Sequence, residues 1–177
     1  MNGYRALLYL SFIFTVWSCG SNPDMLLKEG NEAAKAGDYE RSLSLYEKSC
    51  SLGSGAACFY AANICNESDI YISFMIKSCN LSFADACLAL GNLYASGFND
   101  NFMIFKKNAD ESLKYFEKAC ELSAALCSSA GDMYIGGDII AQNYEKAVLY
   151  YDKACAAGDK TECDKTKDIK ENADFKR

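Results

Sequence analysis

One motif recurs four times in this chain: a segment that ends in Lys, a small residue and Cys, followed after a short break by a second Cys. The copies occupy residues 38–58, 69–87, 110–127 and 144–163. Their first cysteines lie at positions 50, 79, 120 and 155, a mean step of 35 residues. That period is typical of units built from two helices, and such units contact mainly their neighbours. The repetition therefore predicts a series of stacked helix pairs.

Composition supports helices between the breaks. Pro23 is the only proline, and Ala, Leu, Lys and Glu are frequent outside the turns. Helical periodicity and the positions of turn residues give the expected bounds. We expect helices at residues 25–36, 39–50, 56–66, 70–79, 84–96, 125–135 and 160–177, with the remaining second helices in the third and fourth copies of the motif.

A glycine recurs inside two of the first helices. Gly91 and Gly131 are each followed three residues later by a tyrosine, Tyr94 or Tyr134. Glycine costs about 1 kcal/mol relative to alanine inside a helix, so its recurrence predicts that a neighbouring helix approaches closely. We expect the tyrosine to fill the space beside it.

The cysteines restrict the compartment. The chain has ten cysteines and no histidine. So many cysteines favour either disulfides in an oxidising compartment or a metal site. Zinc ligands are usually two to four residues apart and include histidine, whereas here six or seven residues separate each pair, so we predict no metal and no cofactor. Cys65 lies where other units have tyrosine, either as a small buried residue or as a reactive thiol.

The N-terminal segment is typical of exported proteins. Residues 1–18 contain a short apolar run, too short to span a bilayer, and are predicted to be a signal peptide. Cys19 completes a sequence that resembles a bacterial lipobox, so we expect it to carry lipid. Plain cleavage is the alternative. The protein is then a periplasmic or cell-surface lipoprotein anchored in a membrane, or else a secreted protein.

Three further segments complete the predicted layout. Residues 19–24 form a linker after the lipidated cysteine, and residues 25–177 form the repeat domain. Residues 160–177 are strongly charged and are expected to be a capping helix, since the end of a repeat array needs a polar face. An insertion at residues 96–108 includes the apolar cluster Phe102–Phe105, which either folds onto its own repeat or contacts a partner.

The repeat motifs resemble a known family. Leu90-Gly91-x-x-Tyr94 and the segment from Lys146 to Cys155 are similar to Sel-one-like (Sel1-like) repeats, which are relatives of tetratricopeptide repeats. The cysteine spacing resembles that of the Helicobacter cysteine-rich protein family. The resemblance covers residues 25–163 and implies an all-α fold, a right-handed α-solenoid of about four helix-pair repeats with a concave face. It also implies that disulfides tie the end of one helix to the next, through the pairs Cys50–Cys58, Cys79–Cys87, Cys120–Cys127 and Cys155–Cys163.

Members of that family often carry a β-lactamase or penicillin-binding label, which is the alternative function. Serine β-lactamases need Ser-x-x-Lys and Lys-Thr-Gly. No Ser-x-x-Lys follows the signal peptide, and the segment from Lys165 to Lys167 is Lys-Thr-Lys. The carboxylates Asp110, Glu117, Glu145 and Asp152 have the spacing of ion pairs with Lys114, Lys118, Lys146 and Lys153, which favours a solvated helix face over a catalytic pair.

A binding module fits the sequence better than an enzyme. The net charge of −6 disfavours nucleic acid as a partner, and repeat arrays typically bind peptides or proteins. The same place in successive first helices holds Asn31, Asn63, Asn92 and Asp132, which could grip an extended peptide backbone. Alternatively, these side chains only cap or solvate that face. A third hypothesis is a purely structural envelope protein attached to the membrane through its N-terminal lipid.

Overall fold

The computed structural model of the protein describes residues 22–99, 104–137 and 140–171. The predicted signal peptide, Cys19, Phe102 and Met103 lie outside these residues. None of the helices in the described part of the chain is both long and apolar enough to cross a membrane.

The described segments consist of helices, one 3-10 turn and one pair of two-residue strands. The helices are α1 Pro23–Lys35, α2 Tyr39–Ser51, α3 Gly55–Ile64, α4 Ser68–Asn80, α5 Ala84–Ser96, α6 Ala109–Leu122, α7 Ser128–Gly136, α8 Tyr144–Ala156 and α9 Lys160–Glu171. The strands are β1 Phe98–Asn99 and β2 Ile104–Phe105, and the 3-10 turn is Ala124–Leu126.

Consecutive helices pack against each other along the chain. They form four hairpins (α1/α2, α3/α4, α5/α6 and α7/α8), followed by α9. The predicted α-solenoid of about four helix pairs is therefore confirmed. The insertion in the third repeat departs from a purely helical fold, because β1 and β2 pair there in antiparallel register, Phe98 opposite Phe105.

Side-chain caps explain most helix starts. Each cap oxygen accepts a hydrogen bond from a backbone N–H two or three residues further on, which satisfies a donor that the helix leaves unpaired. The capping residues are Asn22, Asp38, Ser54, Asn108 and Asn143. Three helices are exceptions, because the N-cap residues of α4, α5 and α7 make no such bond: Glu67, Phe83 and Cys127.

Disulfides join the end of each second helix to the start of the next first helix. The bonds are Cys50–Cys58, Cys79–Cys87 and Cys155–Cys163, each with Cα atoms 4.8 Å apart, and Cys120–Cys127, with Cα atoms 4.3 Å apart. A left-handed residue reverses the chain at three of these junctions: Gly53, Ser82 and Gly158. The junction after Cys120 is one residue shorter and uses the 3-10 turn instead. The predicted pairing is confirmed.

The recurring glycines do bring helices close together, but the ring beside each of them was predicted wrongly. A Cβ placed on Gly91 would lie 2.4 Å from Phe116 Cδ1, which belongs to the second helix of the hairpin. Tyr94 points elsewhere and stacks on Tyr115, with ring centroids 5.5 Å apart. The space beside the glycine is thus filled across the hairpin and not along the same helix.

The same pairing of a glycine with a ring recurs in the first and fourth repeats, at Gly30 with Tyr46 and at Gly131 with Tyr151. The second repeat has Ala62 and Met75 instead, both buried in one apolar cluster. The larger side chain on the first helix is therefore matched by a slimmer and more flexible one on the second.

Buried serines tie the two helices of a hairpin together. Ser42 Oγ donates to the Gly30 carbonyl at 2.9 Å, and Ser112 Oγ donates to the Gly91 carbonyl at 2.8 Å. Each bond satisfies a buried hydroxyl at the point where the helices lie closest. Together with the ring contacts, these bonds fix the first helix and the polar side chains that it carries.

Candidate functional site

The four predicted recognition residues occupy one repeated position. Each directly follows the residue that packs against the second helix of its hairpin, which is glycine in three repeats and Ala62 in the other. The exposed members are Asn63, Asn92 and Asp132, and Asn31 is half-buried. The close packing of the preceding residue therefore fixes where each of these four side chains starts on its first helix.

Two members of the row are held by tyrosines from the second helix. The Tyr46 hydroxyl donates to Asn31 Oδ1 at 2.7 Å, and the Tyr151 hydroxyl donates to Asp132 Oδ1 at 2.7 Å. Burial, followed by the hydrogen bond to Asp132, raises the pKa of the Tyr151 hydroxyl above its usual value. The Tyr151 hydroxyl therefore stays protonated and remains a donor.

The other two members have different surroundings. Asn63 Nδ2 donates to the Phe59 carbonyl one turn earlier on its own helix, at 2.9 Å. No tyrosine hydroxyl can reach Asn63 or Asn92 from the matching position on the second helix. That position holds Met75 in the second repeat and Phe116 in the third, where the other two repeats have tyrosine. The tyrosine contact was not predictable from the asparagine motif alone, since it depends on a residue 15 positions away in the first repeat.

The fourth repeat adds charge to the row. Lys165 Nζ on α9 lies 3.5 Å from Asp132 Oδ1 and 3.0 Å from Glu162 Oε1, and it sits 5.0 Å from the centre of the Tyr151 ring. Burial acts to lower the pKa of Lys165, but the hydrogen bond to Glu162 and the charge of Asp132 outweigh it and raise the pKa. Lys165 thus remains a cation that partly neutralises Asp132.

A cavity of about 360 Å³ lies beside Cys65. Its walls come from the α3–α4 connection, α4, α5 and β2: Cys65, Asn66, Glu67, Ser68, Tyr71, Ile72, Leu93 and Phe105. Cys65 is a free cysteine and is half-buried, so it is less covered than the small buried residue that was one of the two expectations. Burial, followed by the charges of Glu47 and Glu67, raises the pKa of its thiol, which lowers the fraction of reactive thiolate.

The insertion contributes one ring to this region. Phe105 packs against Tyr94 with ring centroids 4.6 Å apart and also lines the cavity. This part of the insertion therefore lies against its own repeat. Whether Phe102 and Met103 contact a partner remains a prediction, because they are outside the described residues.

Charged side chains pair differently from the sequence prediction. Lys114 pairs with Glu111 at 3.1 Å, and Lys170 of α9 pairs with Asp152 at 3.1 Å. Glu117 Oε1 instead accepts a hydrogen bond from the Tyr150 hydroxyl at 2.6 Å. Burial, followed by this hydrogen bond, raises the pKa of Tyr150. Among residues 22–99, 104–137 and 140–171, no group of three His, Cys, Asp or Glu side chains is placed to hold a metal ion.

A family model for the Sel1 repeat matches residues 25–54, 84–123 and 124–159, together more than half of the chain. The chain belongs to the Sel1 repeat family. The matches leave out residues 55–83, which contain the second repeat with its Ala62 and Met75. No curated protein sequence matches this Sel1 repeat protein.

Solved structures with the same fold include three informative neighbours. A Sel1 repeat protein from Oxalobacter formigenes has a TM-score of 0.66 at 19% identity, over 80% of this chain and 60% of that one. The protein c5321, a protective antigen present in uropathogenic Escherichia coli strains, has a TM-score of 0.65 at 22% identity, over 79% of this chain and 32% of that one. Helicobacter pylori cysteine rich protein B has a TM-score of 0.53 at 24% identity, over 77% and 93%. The first two neighbours are thus substantially longer than this chain, and the likeness to all three concerns the fold.

Proposed function

We propose that this Sel1 repeat protein is an exported scaffold that binds an extended segment of a protein partner along Asn31, Asn63, Asn92 and Asp132. The observation that carries the proposal is the recurrence of one polar side chain per repeat, directly beside the tightest helix contact of each hairpin. First helices of such arrays line a continuous concave surface, which suits an extended peptide.

The hydrogen bonds of two asparagines suggest which groups they offer to a peptide. Asn31 Oδ1 already accepts a hydrogen bond from Tyr46, so its amide NH₂ is left as a donor for a ligand carbonyl. Asn63 donates to Phe59, so its Oδ1 is left as an acceptor for a ligand N–H. An extended peptide presents both kinds of group along its length, and a row that offers both donors and acceptors would pair with its backbone with little regard to side-chain identity.

Peptide selection from a random library displayed on phage would test this proposal. We expect the wild-type chain to enrich peptides and the N63A/N92A variant to lose at least about tenfold in affinity for them, since each lost hydrogen bond is worth about 1 kcal/mol. A matched control, E40A/K48A, removes two exposed side chains on the second helix of the first repeat and should bind as the wild type does.

The outcome that would contradict a recognition row is clear. If N63A/N92A and E40A/K48A bind the selected peptides equally well, the row serves only to solvate the first helices. If no peptide is enriched and the chain instead sediments with peptidoglycan, a structural role in the envelope replaces the binding role.

We also propose that residues 1–18 are removed on export and that Cys19 becomes a lipidated N-terminus, followed by a linker at residues 19–24 and the repeat domain at residues 25–177. The supporting observation is the lipobox-like sequence together with four disulfides, which persist in oxidising compartments. Mass spectrometry of the mature N-terminus is the test. Acyl chains on Cys19 are expected, because stable anchoring needs more than one chain, whereas an unmodified N-terminus would indicate secretion.

A further inference from the structure

The junction between α8 and α9 differs from the other disulfide-linked junctions in how well its cysteines are covered. Cys155 and Cys163 are both half-buried. The other six disulfide cysteines are buried, with at most 6% of any one exposed. Because thiol–disulfide exchange requires a thiolate to reach one sulfur atom, access favours attack on the bond between α8 and α9.

The helix on the far side of this bond also packs differently. Glu162 and Thr166 lie one residue before and three residues after the second cysteine, and both are buried, with 5% exposed. Apolar side chains hold these two positions in the first helices of the second and third repeats, namely Ala57 and Ala61 in α3 and Ala86 and Leu90 in α5.

The two buried polar side chains are incompletely satisfied. Glu162 Oε1 pairs with Lys165, but neither Glu162 Oε2 nor Thr166 Oγ1 has a hydrogen-bond partner among the described residues. Burying a polar atom without a partner opposes packing, so α9 gains less from docking than α3 or α5 does. The disulfide offsets this deficit by keeping α9 next to α8.

Besides its cysteine, the described part of α9 contains one apolar residue, Ile169. Ile169 packs against the cluster of Tyr134, Ala147 and Tyr151. Lys170 pairs with Asp152, but both side chains are about half exposed, and such surface ion pairs contribute little. Without its covalent link, the described part of α9 would thus keep one apolar anchor, Ile169, together with the polar contacts of Lys165 and Lys170.

We propose that the bond between Cys155 and Cys163 is a redox switch, which a dithiol reductant opens before the other three and whose opening releases α9 from α8. In the reaction a reductant thiolate attacks one cysteine sulfur and expels the other as a thiolate, which takes up a proton. The second thiol of the reductant, as a thiolate, then attacks the reductant sulfur of the mixed disulfide and expels the remaining cysteine as a thiolate, which also takes up a proton. Two electrons pass to the protein, which gains two thiols, and the reductant becomes a disulfide.

Release of α9 would change the end of the recognition row. Lys165 would leave Asp132 and Tyr151, so that the carboxylate loses its neighbouring cation and the ring becomes accessible. This consequence rests on the proposed peptide-binding function. The opening of the bond and the release of the helix do not, and both can be measured without any ligand.

Graded reduction of the full chain tests the order of opening. The oxidised protein is treated with increasing dithiothreitol, alkylated, and mapped by mass spectrometry. We expect Cys155 and Cys163 to be alkylated about tenfold faster than the six buried cysteines, because access governs the rate. Simultaneous opening of all four bonds, or later opening of this one, would overturn the proposal.

Hydrogen exchange tests the release of the helix. In the C155S/C163S variant without reductant, amides of residues 160–171 should exchange at least about tenfold faster than in the wild type, since local opening sets their rate. In the matched C50S/C58S variant, amides of α3 should change much less, because Ala57 and Ala61 pack without polar groups. Equal changes in the two variants would contradict the proposal.

A rescue variant separates the exposure of the disulfide from the effect of the buried polar side chains on the docking of α9. E162A/T166A gives α9 the pair of side chains found in α3, so α9 should keep most of its protection after selective reduction. Its disulfide should still be the first to open, because the substitutions leave the sulfur atoms as exposed as before. If α9 is released to the same extent in E162A/T166A as in the wild type, the polar positions do not weaken its docking and the switch is not built as proposed.

Discussion

The second repeat (α3 and α4) and the third repeat (α5 and α6) fill the same space with different side chains. In the third, Gly91 lets the Phe116 ring lie directly on the first helix. In the second, Ala62 occupies that place and Met75 replaces the ring. The comparison teaches that the repeat tolerates either pair, but that the two members of a pair depend on each other, because interiors are packed too densely for one to change alone.

The largest effect that we expect comes from reducing the disulfides, which both repeats share. Closing a loop of about nine residues contributes about 2.5 kcal/mol, so four disulfides contribute at most about 10 kcal/mol, comparable to the net stability of a domain. Complete reduction should therefore unfold the chain near body temperature. Circular dichroism during heating, with and without reductant, measures this. An unchanged midpoint would show that helix packing alone holds both repeats.

The next prediction exchanges alanine and glycine between the two repeats. G91A would place a Cβ 2.4 Å from the Phe116 ring and should lower the free energy of unfolding by about 3 kcal/mol, as overpacking does. A62G meets no such obstacle and should cost only about 1 kcal/mol, through lost helix propensity. Urea denaturation of the oxidised variants provides both values. Equal losses would mean that the ring moves aside without cost.

A double variant sharpens the dependence between partners. G91A/F116M copies the pair of the second repeat into the third and should recover about 2 kcal/mol of the loss caused by G91A, because methionine adapts its shape. F116M alone serves as the control and completes the double-mutant cycle. If the stability lost in G91A/F116M equals the sum of the losses in G91A and F116M, the two positions act independently and the matched-pair interpretation is wrong.

Helix starts offer a smaller test of the same comparison. Asn108 caps α6, whereas Glu67 at the start of α4 makes no side-chain cap. N108A should destabilise by about 1 kcal/mol, and E67N should stabilise by up to about 1 kcal/mol, since asparagine favours the N-cap. Thermal unfolding of both variants checks the signs. A stabilising N108A would be inconsistent with this account.

The smallest effect concerns Cys65 in the second repeat. Because burial raises the pKa of this thiol, the folded chain holds that proton more tightly than the unfolded chain. The resulting stability is present below the ordinary thiol pKa and is lost as the pH rises through the raised value. Alkylation of Cys65 should therefore reach its half-maximal rate at a higher pH in the folded protein than in urea. Equal midpoint pH values in the two states would exclude the pKa shift.

Sequence alone predicted much of the fold because its strongest signals are local. The spacing of Cys50 and Cys58, with a left-handed glycine between them, carries both the helix break and the disulfide. The shorter separation of Cys120 and Cys127, seven positions, was also visible in the sequence. The 3-10 turn that replaces the left-handed residue at this junction could not be predicted from it. The strand pair in the insertion gave no signal, since each strand is only two residues long.

The candidate site was only partly predictable for a physical reason. The row of Asn31, Asn63, Asn92 and Asp132 follows from the repeat alignment, but its hydrogen bonds depend on contacts across the hairpin. Nothing in the spacing of Gly91 and Tyr94 distinguishes a ring on the same helix from one on the partner helix. The polar positions of α9 were equally hidden, because Glu162 in a charged segment looks solvated until its burial is known.

Every disulfide in the described part of this solenoid joins cysteines only seven or eight positions apart. Eight cysteines can be paired in on the order of a hundred ways, yet a chain that emerges N-terminus first presents these cysteines in the order in which they are bonded. Each bond can close before the next bonded pair arrives, although the free Cys65 lies between the first pair and the second. Oxidative folding of these four bonds can therefore proceed from one end to the other, and a bond to Cys65 is the mispairing that an isomerase would have to correct.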